Sequence, residues 1–177
     1  MIDEKRIKEA ERNFKAYLEE GLIKKEKNEA AMLTYIKNSD LSIKVAEKLM
    51  KDELKPWLWV IVCSYYSMFY IANAVLVNLG YKTSEKIVHK VTSDALIVLV
   101  LHKLKKELIE EYEEAKEEAL ELASAKAETL VESYEHERAK RERFQYETTE
   151  DIKEQKARTS LDRAKRFVFE MKKLFAR

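Results

Sequence analysis

Arg138, Lys140, Arg141 and Arg143 stand within six residues of one another in the run HERAKRERFQYETTED, and Tyr146 follows closely. A guanidinium beside an aromatic ring can contact phosphate and stack a nucleobase, which is the chemistry of RNA binding, with or without cleavage. The plain alternative is a basic, capped helix junction that only stabilises a bundle. The positive charge is local. Residues 138–177 carry thirteen basic and seven acidic side chains, whereas the whole chain, with 34 basic and 33 acidic residues, has a formal net charge of +1. No global field therefore points to nucleic acid or a membrane surface. Between 107 and 137 the sign reverses, with twelve acidic and two basic residues. That stretch reads as a solvated face, with a surface for a basic partner as the other reading.

Other chemistries lack their residues. There is no glycine-rich phosphate loop, no His-Glu-x-x-His and no cysteine with a histidine neighbour. His89, His102 and His136 fall on three separate segments, none with a second histidine or a carboxylate pair at a metal spacing. Each is read as structural or solvated, and no metal or other cofactor is expected. Cys63 is the single cysteine, which excludes an intrachain disulfide and a thiolate cluster and reads as a small core side chain.

Residues 57–77, WLWVIVCSYYSMFYIANAVLV, contain no charged side chain in a chain that is 38% charged. Such a run is long enough to cross a bilayer. Against a span, Ser64, Tyr65, Tyr66, Ser67, Tyr70 and Asn73 lie well inside it, where unpaired polar groups in lipid are costly. At about 100° per residue, Cys63, Tyr66, Ser67, Tyr70, Asn73 and Ala74 fall within an arc of roughly 120°. The expectation is a buried core helix of a soluble bundle, outside any membrane, with one polar stripe. Tyr66, Ser67, Tyr70 and Asn73 make that stripe more polar than a monomeric core should tolerate, which predicts a homodimer whose symmetric partner pairs those groups.

The elements that must position these residues are helical. Two glycines and one proline in 177 residues leave little room for sheet turns and suit a single compact all-α domain over 1–177. A first helix is expected over about 3–26 with Gly21 near its end, a second over about 28–52, and a third between Pro56 and Gly80. Thr83 and Ser84 are read as the cap of a short helix through about 91, and Thr92, Ser93 and Asp94 as the cap of the next. From Leu104, through Leu108, Tyr112, Ala115, Ala119, Leu122 and position 126 or 127 to Leu130 and Tyr134, apolar positions recur at three-and-four spacing, which predicts a long amphipathic helix. Thr148 or Thr149 caps a last helix whose apolar face includes Leu161, Ala164, Phe167, Val168 and Met171. The sum is an up-and-down bundle of five to six helices, with 104–140 as a long helical extension. The charged start MIDEKRIKEAERNF has no apolar signal core, so a cytoplasmic location is expected. Abundant Lys and Glu with few Gly and Cys point towards a thermophilic source.

A resemblance joins the two candidate regions. The stretch SYYSMFYIANAVLVNLGYKTSEKIVHK resembles the helix-and-turn signature of HEPN domains, in which a Tyr-Tyr-x-Met-Phe core precedes a small-residue helix and a glycine-ended turn. RERFQYE, at 141–147, resembles the Arg-Glu-x-Ala-Asp-Tyr-Asp segment of one prokaryotic branch of that family. EDIKEQKARTSLDRAKRFVFEMKKL resembles that branch's final helix. The resemblance implies a helical bundle, commonly dimeric, and an RNA-directed protein: a metal-independent ribonuclease, or a toxin-like component that pairs with a minimal nucleotidyltransferase. Active members carry an arginine and, four to six residues on, a histidine. The imidazole relays a proton at the ribose 2′-hydroxyl while the arginine neutralises charge on the phosphorane. Arg141 fits the arginine, no histidine follows it, and Tyr146 occupies the histidine's place. A phenol with a pKa of about 10 is a poor base at neutral pH. Phe144 and Gln145 also depart from the branch pattern. The alternative to an RNA-directed protein is therefore a non-catalytic helical dimer that binds a partner such as that nucleotidyltransferase.

Overall fold

Side-chain caps fix where the first helices begin. Asp3 accepts a hydrogen bond from the Arg6 amide at 2.8 Å, and Asn28 accepts one from the Ala31 amide at 2.9 Å, each satisfying a donor that the first helical turn leaves free. The computed structural model describes residues 2–135 and 150–176, and side chains over 2–123 and 153–175. Among the described residues, the helices are α1 (Glu4–Glu19), α2 (Glu29–Leu49), α3 (Trp57–Asn78), α4 (Val88–Leu99), α5 (Lys106–Glu135) and α6 (Glu150–Lys172). Strands β1 (Ile23–Lys25) and β2 (Tyr81–Thr83) pair antiparallel with Ile23 opposite Thr83. The fold is an all-α bundle carrying this one small sheet.

The first helix is shorter than its apolar pattern predicts. Gly21, at φ +71°, turns the chain in the left-handed region, where only glycine sits without strain. The residues beyond it leave the helix for β1, and Ile23 is buried there. Gly80, at φ +87°, ends α3 as expected. The Glu26 amide bonds the Gly80 carbonyl at 3.0 Å, so the strand pair ties the ends of α1 and α3 together.

The segment before α4 also departs from expectation. Residues 83–91 do not form a helix of their own, because Tyr81–Thr83 is taken into the sheet and α4 begins at Val88. Thr92, Ser93 and Asp94 cap nothing: all three are buried inside α4. Their polar groups answer to other helices rather than to a free helix end.

The uncharged run forms the centre of the bundle. Sixteen of the 22 residues of α3 are buried, and α2, α4, α5 and α6 all pack on it. Val60, Met68, Ile71 and Leu76 are sealed from solvent, each worth roughly 1.5–3 kcal/mol relative to exposure. The helix is long and apolar enough to cross a membrane, yet 83% of its most apolar window is covered by the rest of the chain. Its apolar surface is thus satisfied by its own fold.

Candidate functional site

Every residue of α3 from Val60 to Val77 is buried except Cys63, Tyr66 and Tyr70, which are half-buried. With Trp59, 57% exposed, they recur at intervals of four, three and four residues, which places them on one side of a helix. Among the described residues, the neighbouring helices cover α3 only in part along this seam. The sequence stripe therefore divides in two. Tyr66 and Tyr70 lie on the open seam, while Ser67 and Asn73 point into the fold.

The inward pair is satisfied within the chain. Ser67 donates through Oγ to the Ser64 carbonyl at 2.7 Å, and its own carbonyl accepts from the Ser39 hydroxyl at 2.8 Å. Asn73 donates to the Phe69 carbonyl at 2.9 Å, and its Oδ1 accepts from the Thr83 hydroxyl at 2.8 Å. Thr92 Oγ1 lies 3.3 Å from Asn73 Nδ2. These groups need no symmetric partner. The hydroxyls of Tyr66 and Tyr70 take no hydrogen bond from any described residue.

Beside the seam sits His89, in the first turn of α4. Its Nδ1 is 2.7 Å from the Tyr65 hydroxyl, and its ring lies 4.7 Å from that of Phe69 and 6.0 Å from that of Tyr66. His89 is half-buried. Its Nε2 has no partner among the described residues and is not sealed from solvent. Burial first, and then the Lys116 charge, pull the imidazole below its usual value of 6.5, so it is neutral at physiological pH. Burial pushes the Tyr65 phenol up, so it stays protonated. A neutral imidazole fixed through one nitrogen and open at the other is a hydrogen-bonding edge facing the seam. The residue types around His89 gave no metal spacing, and its partner Tyr65 is 24 residues away. No local sequence signal links the two.

Behind α4 lies a buried polar network. Arg6 pairs with Asp94 at 2.7 Å and with Glu113 at 2.7 Å. Asp94 also accepts from Tyr17 at 2.9 Å and from Asn13 at 3.0 Å. Ser93 donates to Glu113 at 3.1 Å, and Lys116 donates to Ser93 at 3.3 Å. Burial would depress the Arg6 pKa, but the two carboxylates outweigh it and raise it. Burial and the bond to Asp94 raise the Tyr17 phenol. The network carries positive and negative charge in balance and binds α1 to α4 and α5. It is a fastening, closed to solvent at Asp94 and Ser93.

Arg138, Lys140, Arg141, Arg143 and Tyr146 lie outside the described residues, as does His136. Cys63 sits on the seam with its thiol pushed up by burial, which keeps it protonated and weakly nucleophilic. Trp59 is a seam residue that sequence reasoning did not single out, and His89 is one that it set aside as structural or solvated. Comparison with protein-family models, curated proteins and solved structures found no match.

Proposed function

We propose that the chain is a HEPN-type RNA-directed protein, in which Arg141 contacts phosphate, Tyr146 stacks or orients a nucleotide, and Arg138, Lys140 and Arg143 add local charge. The observation that carries this reading is the open α3 seam, where Tyr66 and Tyr70 stand half-buried beside the free edge of His89. Half-buried tyrosines with unengaged hydroxyls suit nucleobases, which offer both a π-face and polar edges. If the protein cleaves RNA, it does so as a metal-independent endoribonuclease, with Arg141 neutralising the phosphorane.

The test is incubation of purified protein with labelled cellular RNA, with and without Arg141→Ala. Arg141→Ala should lower binding or cleavage more than Tyr146→Phe, because phosphate contact needs the guanidinium while phenylalanine keeps the stacking surface. Affinity should fall with salt in proportion to the phosphates contacted. Salt-insensitive binding, unchanged in Arg141→Ala, would overturn the reading.

A second reading has its own support. Trp59, Leu41 and Val45 are 57%, 56% and 38% exposed, a set of large apolar side chains suited to a protein partner. That reading makes the chain a non-catalytic dimer that binds a minimal nucleotidyltransferase. Co-purification of the two proteins without any affinity for RNA would favour it.

A further inference from the structure

Four half-buried rings meet in sequence along the α3 seam: Tyr35 from α2, Tyr70 and Tyr66 from α3, and His89 from α4. Their centroids are separated by 6.3, 5.9 and 6.0 Å in that order. A second, buried layer holds them from below. Phe69 lies 5.7 Å from Tyr70, 6.1 Å from Tyr66 and 4.7 Å from His89, and Tyr65 lies 5.6 Å from Tyr66. The surface rings are thus placed by packed neighbours rather than by loops, and little rotamer freedom remains to be lost on binding.

We infer that Tyr35, Tyr70, Tyr66 and His89 form a track on which successive bases of an unpaired RNA strand stack. The inference rests on the RNA-directed reading above and adds to it the form of RNA bound and the residues that bind it. Access to the base faces decides the form. In a duplex each base is covered on its faces by its neighbours and paired along its edge, so none is free to lie on a protein ring, whereas the rings here stand 5.9–6.3 Å apart, inclined to one another by 28–79°. An extended, unstacked strand can place one base per ring. Charge agrees with an anionic ligand along the track. The Lys116 ammonium is felt at His89 and the Lys82 ammonium at Tyr35, while Lys86 and Lys90, both exposed, bracket His89 in sequence. Lys82 is shared with Glu26 at 3.2 Å, and Glu85 acts on Tyr35 in the opposite sense. The attraction is consequently modest and stacking must supply much of the affinity. The row itself is entirely aromatic, whereas the exposed aliphatic side chains Leu41 and Val45 lie elsewhere on α2. An apolar peptide would favour the latter.

The test measures binding of a short labelled oligouridylate, and of a labelled blunt RNA duplex, by fluorescence anisotropy. The proteins are the full chain, Tyr66→Leu, Tyr70→Leu, the double variant, the matching phenylalanine variants, and Arg141→Ala. Unpaired RNA should bind at least tenfold tighter than duplex. Each leucine substitution should weaken it by about 5- to 150-fold, the worth of one base on one ring. The phenylalanine variants should bind like the parent protein and show that folding is intact. If Arg141→Ala loses affinity while the double leucine variant does not, the track is wrong and the RNA-directed reading stands. If no protein binds either RNA, the RNA-directed reading fails and the track with it. If the leucine variants alter sedimentation from dimer to monomer and leave RNA affinity unchanged, the row is a contact between copies and the inference is overturned.

Discussion

At the scale of single residues, the consequences of burial are sharpest at Asp94 and His89. Asp94 is wholly buried and paired with Arg6. Removing the cation leaves an uncompensated carboxylate in the interior, at a cost of about 3–5 kcal/mol. Arg6→Ala should therefore lower the free energy of urea unfolding by that amount, and Asp94→Asn with Arg6→Met should recover part of it. Chemical denaturation of the single and double variants checks both. His89 carries a different signature. Its folded pKa lies below the unfolded value of 6.5, so the unfolded state takes up a proton first as pH falls. Its contribution is neutral above that value, and stability is lost as pH drops from there towards the folded pKa. Tyr65 and Lys116 face the ring from α3 and α5, and burial pushes the Tyr65 phenol up, away from that range. Asp3, Glu26 and Glu47 are shifted downward and lose their protons below 4.5, outside the window in which His89 acts. His89→Gln should flatten the acid limb of a plot of melting temperature against pH between those two values.

At the scale of elements, backbone geometry makes two predictions of opposite sign. Gly80 ends α3 at φ +87°, and a Cβ there would meet only Lys27 Cγ at 3.9 Å. Gly80→Ala should then cost only the left-handed backbone penalty, about 1–2 kcal/mol. Ile87 precedes α4 at φ +42° with its side chain 58% exposed, so a β-branched residue bears the same penalty for little burial. Ile87→Gly should raise stability by about 1 kcal/mol, measured as a shift in melting temperature. These elements also show what sequence can carry. The helical class, the core position of α3 and its glycine end were legible, because charge-free length and a single glycine act locally. Thr92, Ser93 and Asp94 were misread as a cap because the hydroxyls and carboxylate that cap a helix are the same groups that build an interior network. Only their partners on other elements, Arg6, Asn13, Tyr17, Asn73, Glu113 and Lys116, distinguish the two. The stripe was half legible for a similar reason. An arc on a helical wheel says which residues share a side, and the width that α2 and α4 cover decided that Ser67 and Asn73 go in while Tyr66 and Tyr70 stay at the surface.

At the scale of the whole molecule, self-association has changed its basis. Ser67 and Asn73 are paired inside the chain, so unsatisfied polar groups no longer call for a second copy. What remains for it is apolar: Trp59, Leu41 and Val45. A dimer at tens of micromolar is expected in sedimentation, and Trp59→Lys should dissociate it without unfolding. A clean monomer would count against that expectation. The fastening of α1 has one more outcome, and it concerns the order in which the chain is made. The Ile2 amide bonds Glu110 Oε1 at 2.6 Å across 108 residues, and Arg6 bonds Glu113 across 107. α1 is synthesised before the elements it packs against, and Glu110 and Glu113 on α5 are the last of those partners to be made. At about 5–20 residues per second, Arg6 waits on the order of 5–20 s for its second carboxylate. Phe14 and Tyr17 meet Tyr81 and Asp94 sooner, so α1 has β2 and α4 to seat on before its ties to α5 are complete.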